Sequence, residues 1–240
     1  MTNNIIKKII RRLTGRQADQ FLAKRDRIMR EYIKGSGLEI GALHNPLQLP
    51  QGAFARYVDR MSVDDLRKQY PELSGRKLVN VDIIADGELL RPVENCSQDF
   101  VIANHFIEHC QNPILAIENM LRVLKAGGIL FLAIPDKRFT FDNARKVTSY
   151  EHLFKDYTEG AAQSRGEHFT EWAEKVDKVP VAELAEKARH LMDIDYSIHF
   201  HVWTQTGIIE FLLKLQDMFA FEIEMICRNA GEIIVILRKI

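Results

Sequence analysis

The most constraining feature of this chain is one short, continuously apolar segment that follows a helix signature. Residues 129–134 read Ile-Leu-Phe-Leu-Ala-Ile, the pattern of a strand buried on both faces inside a parallel sheet. Residues 112–125 open with Asn-Pro, repeat apolar residues at helical spacing, and are followed by a Gly-Gly pair. A helix that leads directly into a doubly buried strand is typical of α/β folds. The sequence therefore predicts a doubly wound, mostly parallel sheet.

Further strand patterns complete this sheet on both sides of the apolar segment. The last two runs alternate or are β-branched and flank a short Arg-Asn-Ala-Gly turn, which predicts an antiparallel hairpin at the C-terminus. We expect seven strands in a Rossmann-like α/β fold. The six further predicted strands are residues 37–40, 54–59, 78–84, 98–104, 219–226 and 232–237.

Composition excludes several classes of protein. The 240 residues carry 33 basic and 33 acidic side chains, and this balance argues against a globally basic nucleic-acid binder. Cys96, Cys110 and Cys227 show no C-x-x-C spacing, so we expect neither a disulfide framework nor a cysteine zinc site. Because no apolar run reaches the ~18 residues of a membrane span, we expect a cytoplasmic protein.

The N-terminal segment departs from this charge balance. Residues 1–30 hold nine Lys or Arg against Asp19 and Asp26, and residues 4–14 place isoleucines and Leu13 at helical spacing between the basic residues. This pattern predicts a basic amphipathic helix, followed by a second helix at about residues 16–34. The first helix either docks on the body of the protein or attaches to an anionic membrane surface or a partner.

Candidate ligand-binding residues follow the predicted strands. Glu39 and Gly41 lie where the first strand meets a tight turn, and Asp59 ends the second strand 18 residues beyond Gly41. An acid at that spacing accepts hydrogen bonds from ribose hydroxyls in dinucleotide folds, although a surface acid paired with Arg60 has the same pattern. Asp86 and Gly87 follow the third strand, as an adenine contact or simply as an Asp-Gly turn.

A possible metal motif follows the fourth strand. His105 and His109 stand four residues apart, a spacing that places two ligands on one helix face. The position of Glu108 and the missing third ligand do not match a zincin motif. We therefore expect no metal.

The order of these motifs resembles that of class I S-adenosylmethionine (SAM)-dependent methyltransferases of the small-molecule type. The resemblance covers roughly residues 36–136 and the final strands, and its most specific part is the run from Asp99 to Pro135. That run contains Asp-Phe-Val-Ile, His-Phe-Ile-Glu-His, Leu-Arg-Val-Leu-Lys-Ala-Gly-Gly and Phe-Leu-Ala-Ile-Pro. The other matching places are Glu39-Ile40-Gly41-Ala42, Asp59 and Asp86-Gly87.

The resemblance implies SAM as the cofactor and assigns roles to individual residues. Glu39 and Gly41 would flank the methionine portion, with Ala42 in the same loop. Asp59 would bind the ribose, and Asp86 with Gly87 the adenine. Asn104 and His105 would face the methionine portion and the transferred methyl group. One departure is the first loop, which has a single glycine where the family usually has two or three.

The resemblance also divides the chain. N-terminal helices would occupy residues 1–35, the SAM-binding core residues 36–136, and the last part of the core residues 204–240. Residues 137–203 would form a helical insertion that covers the substrate, with helical patterns near residues 148–158, 167–178 and 180–192 and an extended segment at 198–203. Thr204 would cap a helix that runs to about Asp217.

These expectations lead to a functional hypothesis. We expect methyl transfer from SAM to a small-molecule or glycan-like acceptor, at a hydroxyl in the first instance. The candidate bases are His105, His199 and His201, because a histidine of near-neutral pKa can take the hydroxyl proton; each of them also fits a purely structural role. A nicotinamide-dependent oxidoreductase is less consistent with the single glycine at Gly41. A non-catalytic SAM-binding scaffold remains a third hypothesis.

Overall fold

A computed structural model describes residues 15–73 and 75–240. The basic helix predicted at residues 4–14 lies outside this part of the chain. The strands are β1 (Ser36–Ile40), β2 (Phe54–Asp59), β3 (Ile83–Ile84), β4 (Gln98–Asn104), β5 (Leu124–Pro135), β6 (Phe221–Asn229) and β7 (Glu232–Lys239). The α-helices are α1 (Gly15–Tyr32), α2 (Val63–Gln69), α3 (Pro113–Val123), α4 (Tyr150–Glu159), α5 (Arg165–Lys175), α6 (Leu184–Asp193) and α7 (Gln205–Gln216).

The seven strands form one sheet in the order β3-β2-β1-β4-β5-β7-β6. The first five strands pair in parallel, whereas β7 is antiparallel to both β5 and β6. The predicted Rossmann-like sheet with an antiparallel C-terminal hairpin is therefore confirmed. The order reverses between β1 and β4, and in such open sheets a crevice forms at this reversal.

Both faces of the central strands are buried, as the apolar sequence of β5 requires. Leu130 and Leu132 pack with Val101 on one face, while Phe131 packs with Phe100 on the other. The second face is covered by α1, which contributes Ile28, Met29 and the following Ile33 to that layer.

The helix α1 is also joined to the sheet by a buried ion pair. Arg25 donates to both carboxylate oxygens of Glu232 on β7, at 2.7 and 2.5 Å. Asn229 donates to the same carboxylate at 2.9 Å. Although burial alone would raise the pKa of Glu232, Arg25 and His105 hold it at about 2.

Several element boundaries differ from the sequence prediction, and the largest shifts among the strands are at the starts of β3 and β5. The third strand was expected at residues 78–84, but only Ile83 and Ile84 pair with β2. Before them, the Asp82 carboxylate accepts a hydrogen bond from the Tyr57 amide, so a side chain replaces a backbone partner. The fifth strand begins at Leu124 rather than at Ile129, because α3 ends at Val123.

Residues 137–203 contain three α-helices and a small core of their own. That core is built from Phe169 and Trp172 of α5, Leu191 of α6, and Phe200. The predicted helices are confirmed with shifted ends. Residues 198–203 form no strand apart from a single bridge between Asp136 and Trp203. The side chain of Thr204 caps α7 by accepting from the Gly207 amide, as predicted.

None of the helices in residues 15–73 and 75–240 is both long and apolar enough to cross a bilayer.

Candidate active site

The carboxyl ends of β1, β2 and β4 surround a cavity of about 420 Å³. The sheet side of its wall includes Gly41, Asp59, Asp86, Gly87 and His105, all of which are predicted site residues. The insertion closes the opposite side with Asp195, Tyr196, Ser197 and Phe200. The structure thus brings residues of the predicted lid and five of the predicted cofactor residues to one cavity.

Asp59 is the last residue of β2, and Asp86 follows β3. Both residues line this wall of the cavity. Burial raises the pKa of Asp59, although the carboxylate accepts the Arg60 amide hydrogen at 2.7 Å. Asp86 accepts the Glu88 amide hydrogen at 2.8 Å, which is the Asp-Gly turn expected from the sequence. Each aspartate therefore combines a turn role with oxygen atoms at the cavity.

Gly87 is required for the close approach of its loop to the wall. A Cβ atom at this position would lie 2.6 Å from Phe106 Cζ and 2.8 Å from Ile40 Cγ2. Real Cβ atoms do not approach ring carbons this closely, so a larger residue would push the loop away from the cavity. Gly41 adopts φ of +65°, a conformation that glycine takes without steric cost.

Three non-glycine residues of the cavity wall have left-handed backbones: Leu43, His105 and Asp195, at φ of 50°, 50° and 46°. Such conformations cost about 1–2 kcal/mol per residue. They cluster at functional sites, where the surrounding structure holds the strained backbone in place. Their convergence on one cavity supports its assignment as the site.

Three predicted cofactor residues are not part of the cavity lining: Glu39, Ala42 and Asn104. Glu39 is 1% exposed on the face covered by α1, and both its oxygens accept the Leu47 amide hydrogen. Burial raises the pKa of Glu39 to about 8. The amide group of Asn104 has no hydrogen-bond partner among the described residues.

His105 is held between two carboxylates. Its Nε2 lies 3.0 Å from Glu232 Oε2, and its Nδ1 lies 3.6 Å from Glu108 Oε1. Burial opposes protonation, but the neighbouring Glu108 and Glu232 carboxylates raise the pKa of His105. A histidine held between two carboxylates in this way is suited to orienting its neighbours rather than to accepting a proton.

His199 and His201, the other two predicted bases, are fully buried and do not line the cavity. His199 Nδ1 lies 2.7 Å from Asp142 Oδ2, and His201 Nε2 lies 3.3 Å from the Gln111 carbonyl oxygen. Burial lowers the pKa of His201 well below the usual range. The structure therefore brings these two histidines next to the wall, but behind it.

His109, which the sequence offered only as half of a metal motif, does line the cavity. Its Nδ1 lies 2.8 Å from the Ile198 carbonyl oxygen. Burial, followed by the nearby His199, lowers the pKa of His109 well below the usual range. The imidazole is therefore neutral, and because Nδ1 faces a carbonyl, Nε2 carries the lone pair.

Two clusters of side chains bring possible metal-ligating atoms within 4.8 Å of one another. The first, which we call the wall triad, consists of Glu108, His109 and His199. The second, which we call the insertion cluster, consists of His152, Asp156, His168 and His201. His152 Nε2 lies 3.0 Å from His168 Nε2 and 3.2 Å from Asp156 Oδ2. Both clusters join residues far apart in sequence, so the spacing of residues gives no sign of them.

Parts of the chain match a known protein family and a curated relative. Residues 48–132 match a family model described as a methyltransferase domain. A curated relative, an uncharacterized protein of Methanocaldococcus jannaschii, is 34% identical over 110 residues, or 46% of this chain. The match spans about half, 49%, of that relative's length.

Solved structures of methyltransferases are similar to this chain in fold. A protein of Thermotoga maritima, described as a SAM-dependent methyltransferase and possible histamine N-methyltransferase, is 15% identical, with a TM-score of 0.48. The likeness covers 92% of this chain and 89% of that one. A SAM-dependent methyltransferase of Aquifex aeolicus is 12% identical, with a TM-score of 0.46 and coverage of 89% and 87%. Sequence identities and TM-scores this low do not indicate which reaction is catalysed.

The sheet order and the cavity at the carboxyl ends of the parallel strands are those of a Rossmann-like α/β fold. The methyltransferase-domain match over residues 48–132 agrees with the resemblance to class I SAM-dependent methyltransferases. SAM is the cofactor that this resemblance implies.

The residues of the cavity fit the nucleoside half of that cofactor. Asp59 presents oxygen acceptors for ribose hydroxyls, and Asp86 with the closely seated Gly87 forms the next part of the wall. At the methionine end Gly41 lines the cavity, whereas Glu39 does not. The Glu39 carboxyl group, which was expected to contact the ammonium group of the cofactor, instead accepts a hydrogen bond from the Leu47 amide.

Proposed function

We propose that this protein transfers a methyl group from SAM to a hydroxyl of a small-molecule or glycan-like acceptor. Bound SAM supplies a methyl group activated by a positively charged sulfur. The protein then has to hold the acceptor oxygen in line with that methyl group and exclude competing water. The cavity between the sheet and residues 137–203, the proposed substrate lid, has the enclosure that this task requires.

The observation that supports a hydroxyl acceptor is the nature of the wall triad. Glu108 and the Nε2 atoms of His109 and His199 are all hydrogen-bond acceptors, and none has a hydrogen-bond donor among the described residues. A hydroxyl donates a proton to such a wall of acceptors, as an amine also does, whereas a carbonyl or ether oxygen has none to donate. His109 brings this wall to the surface of the cavity.

Within this proposal, Asp59 binds the ribose and Asp86 with Gly87 the adenine. His105 positions Glu108 beside the cavity, because its ring lies between Glu108 and Glu232. The predicted roles of His199 and His201 as bases have less geometric support, since each has one ring nitrogen bonded inside the protein. His109 is the histidine with both an open nitrogen and a place in the lining.

Calorimetric titration of the full chain with SAM and with NADH tests the cofactor, and a panel of hydroxylated, aminated and carbon acceptors tests the substrate. We expect SAM binding and methylation of hydroxyl compounds. NADH binding without SAM binding would favour the oxidoreductase hypothesis instead. SAM binding with no turnover on any acceptor would favour a scaffold.

We place the protein in the cytoplasm, with residues 4–14 either docked on its own body or attached to an anionic membrane surface. The support for attachment is the excess of basic residues in the first thirty. Sedimentation with anionic and neutral vesicles, with and without residues 1–14, distinguishes the two arrangements. Vesicle binding that does not change on deletion removes the membrane hypothesis.

A further inference from the structure

The wall triad has an unusual electrostatic composition for a buried site. Glu108 and His199 are each 0% exposed, and His109 is partly buried at the cavity. Both Glu108 oxygens and the Nε2 atoms of both histidines lack a hydrogen-bond partner in the part of the chain that the structure describes. A buried acceptor left without a donor costs about 1–3 kcal/mol. Several acceptors that face one another are stabilised by a cation or a hydrogen-bond donor placed between them.

The opposite ring nitrogen of each histidine fixes where its lone pair points. His199 Nδ1 lies 2.7 Å from Asp142 Oδ2, and Arg145 holds Asp142 from the other side at 3.0 Å. His109 Nδ1 lies 2.8 Å from the Ile198 carbonyl oxygen. Both Nδ1 atoms must therefore donate, which leaves both Nε2 atoms free to accept. Histidines that ligate metals are oriented in this way by a carboxylate or a carbonyl.

The nearest charged neighbour does not fill the gap. His105 Nδ1 lies 3.6 Å from Glu108 Oε1, beyond hydrogen-bond distance, and its other nitrogen is bonded to Glu232. The ligand atoms of the triad lie within 4.8 Å of one another. Ligand–metal distances of about 2.0–2.2 Å place the ligands of a tetrahedral ion roughly 3.4 Å apart, so the three side chains close on the ion as it binds.

We propose that Glu108, His109 and His199 bind a divalent transition-metal ion that holds the acceptor oxygen. Two imidazole nitrogens and one carboxylate suit zinc, cobalt, iron or manganese. Three protein ligands leave at least one coordination position open, as in catalytic rather than structural sites. Because His109 lines the cavity, the open position is directed there. This inference rests on the proposed function.

A metal at this position explains how a hydroxyl becomes nucleophilic. An oxygen bound to the ion has a lowered pKa and releases its proton to a water molecule of the cavity. The oxygen then forms a bond to the methyl carbon as the carbon–sulfur bond breaks, and that electron pair stays on sulfur. Two adjacent hydroxyls would chelate the ion better than one. The favoured acceptor class is therefore a vicinal diol or catechol.

Cobalt(II) is a suitable probe, because its visible absorption reports the number and type of ligands. The insertion cluster is a second possible ion site, so Asp156→Ala/His168→Ala provides the background in which the triad is measured. In that background we expect one equivalent of cobalt to bind to the metal-free full chain. Addition of catechol without SAM should change the visible spectrum, because a catechol oxygen enters the coordination sphere.

Variants of the triad test the ligand assignment. Glu108→Gln keeps the shape of the side chain, and His109→Ala removes a ligand at the cavity surface, where packing matters least. We expect each to weaken cobalt binding by more than the 10–100-fold that loss of an outer partner causes. His190→Ala, which removes an exposed histidine of α6, is the matched control. Thermal unfolding of each variant shows that it is folded.

The outcomes separate this inference from the function on which it rests. If no cobalt binds in the background, or if Glu108→Gln and His109→Ala bind it as tightly as the control does, the ion site is wrong. If methylation proceeds unchanged after chelation while SAM still binds, the methyltransferase proposal stands and the metal inference falls. Absence of SAM binding overturns the proposed function even if cobalt binds as expected.

Discussion

At the scale of single residues, Asp59 offers the most direct test of the cofactor site. Its carboxylate is largely buried at the cavity and faces no cation that neutralises it fully. We expect Asp59→Asn to weaken SAM binding about 10–100-fold, because hydrogen bonds to a charged group contribute ~1.5–3 kcal/mol. Titration calorimetry measures the change. Asp64→Asn, an exposed acid of α2, is the control, and equal affinities in the two variants would contradict the ribose assignment.

Glu39 predicts a particular dependence of stability on pH. Its carboxyl group keeps its proton up to pH of about 8 in the folded chain, because burial raises its pKa from 4.5. The folded state therefore holds more protons than the unfolded state between these values, so this contribution to stability is lost as the pH rises through that window. Compared with Glu39→Gln, the wild type should lose up to a few kcal/mol between pH 5 and pH 8.

Urea unfolding of the two proteins at pH 5, 6.5 and 8 provides that measurement. Glutamine is a suitable reference because its carbonyl oxygen can still accept the Leu47 amide hydrogen. Parallel stability curves would mean that Glu39 is ionised in the folded protein. The carboxylate would then be available to an ammonium group after all.

Residue-scale prediction from sequence reached the cavity and named His199 and His201 as well, but it did not place His199 beside His109. Asp59, Asp86 and Gly87 follow strands, and strand ends meet at one edge of a parallel sheet, so their positions could be inferred. His109 was set aside because no third ligand stands near it in sequence. The missing partner, His199, is ninety residues away, and only the packing of residues 137–203 on the core brings it into reach.

At the scale of elements, the insertion is joined to the core beside the cavity by one ionic contact. Asp195 binds Arg60, which follows β2, and also Arg165 of α5. All three side chains are partly exposed, so we expect Asp195→Asn to cost no more than about 1 kcal/mol of stability. It should nevertheless speed hydrogen exchange at residues 195–200, since the segment loses its ionic contact with Arg60.

Hydrogen exchange of the full chain measures this effect, with Glu186→Gln on the same insertion as the control. Asparagine is chosen because it tolerates the left-handed backbone at position 195 better than most residues do. Exchange that is unchanged in residues 195–200 would show that the insertion core around Trp172 holds this segment without the ionic contact.

The elements show where pattern reading succeeds and where it stops. Continuous apolar strands and capped helices are local signals, and they predict which elements form and where each one lies in the chain. The predicted length of β3 was wrong because the Asp82 side chain, and not a backbone carbonyl, accepts the Tyr57 amide hydrogen. The spacing of apolar residues gives no sign of such a replacement. Residues 41–53 contain no helix, and α1 covers that face of the sheet instead, held by the distant pair Arg25 and Glu232.

At the scale of the whole molecule, ligand binding should increase the free energy of unfolding and the melting temperature. A ligand at 100 times its dissociation constant stabilises the folded state by about 2.7 kcal/mol. For a chain of this size we expect SAM to raise the melting temperature by roughly 5–10 °C. Differential scanning fluorimetry measures this shift, and Asp59→Asn at the same SAM concentration should show a smaller one. An equal or larger shift with NADH would contradict the cofactor assignment.

The contacts of Glu108 limit how this protein can change in evolution. The Glu108 carbonyl oxygen accepts hydrogen bonds from the Phe200 and His201 amides, while its side chain belongs to the wall triad with His199. The insertion therefore contributes a ligand to the proposed ion site instead of only covering the cavity. Exchanging residues 137–203 with the corresponding segment of another methyltransferase would remove His199 and the two amide donors together. Altered acceptor preference in this lineage should arise by substitutions within the segment, not by its replacement as a module.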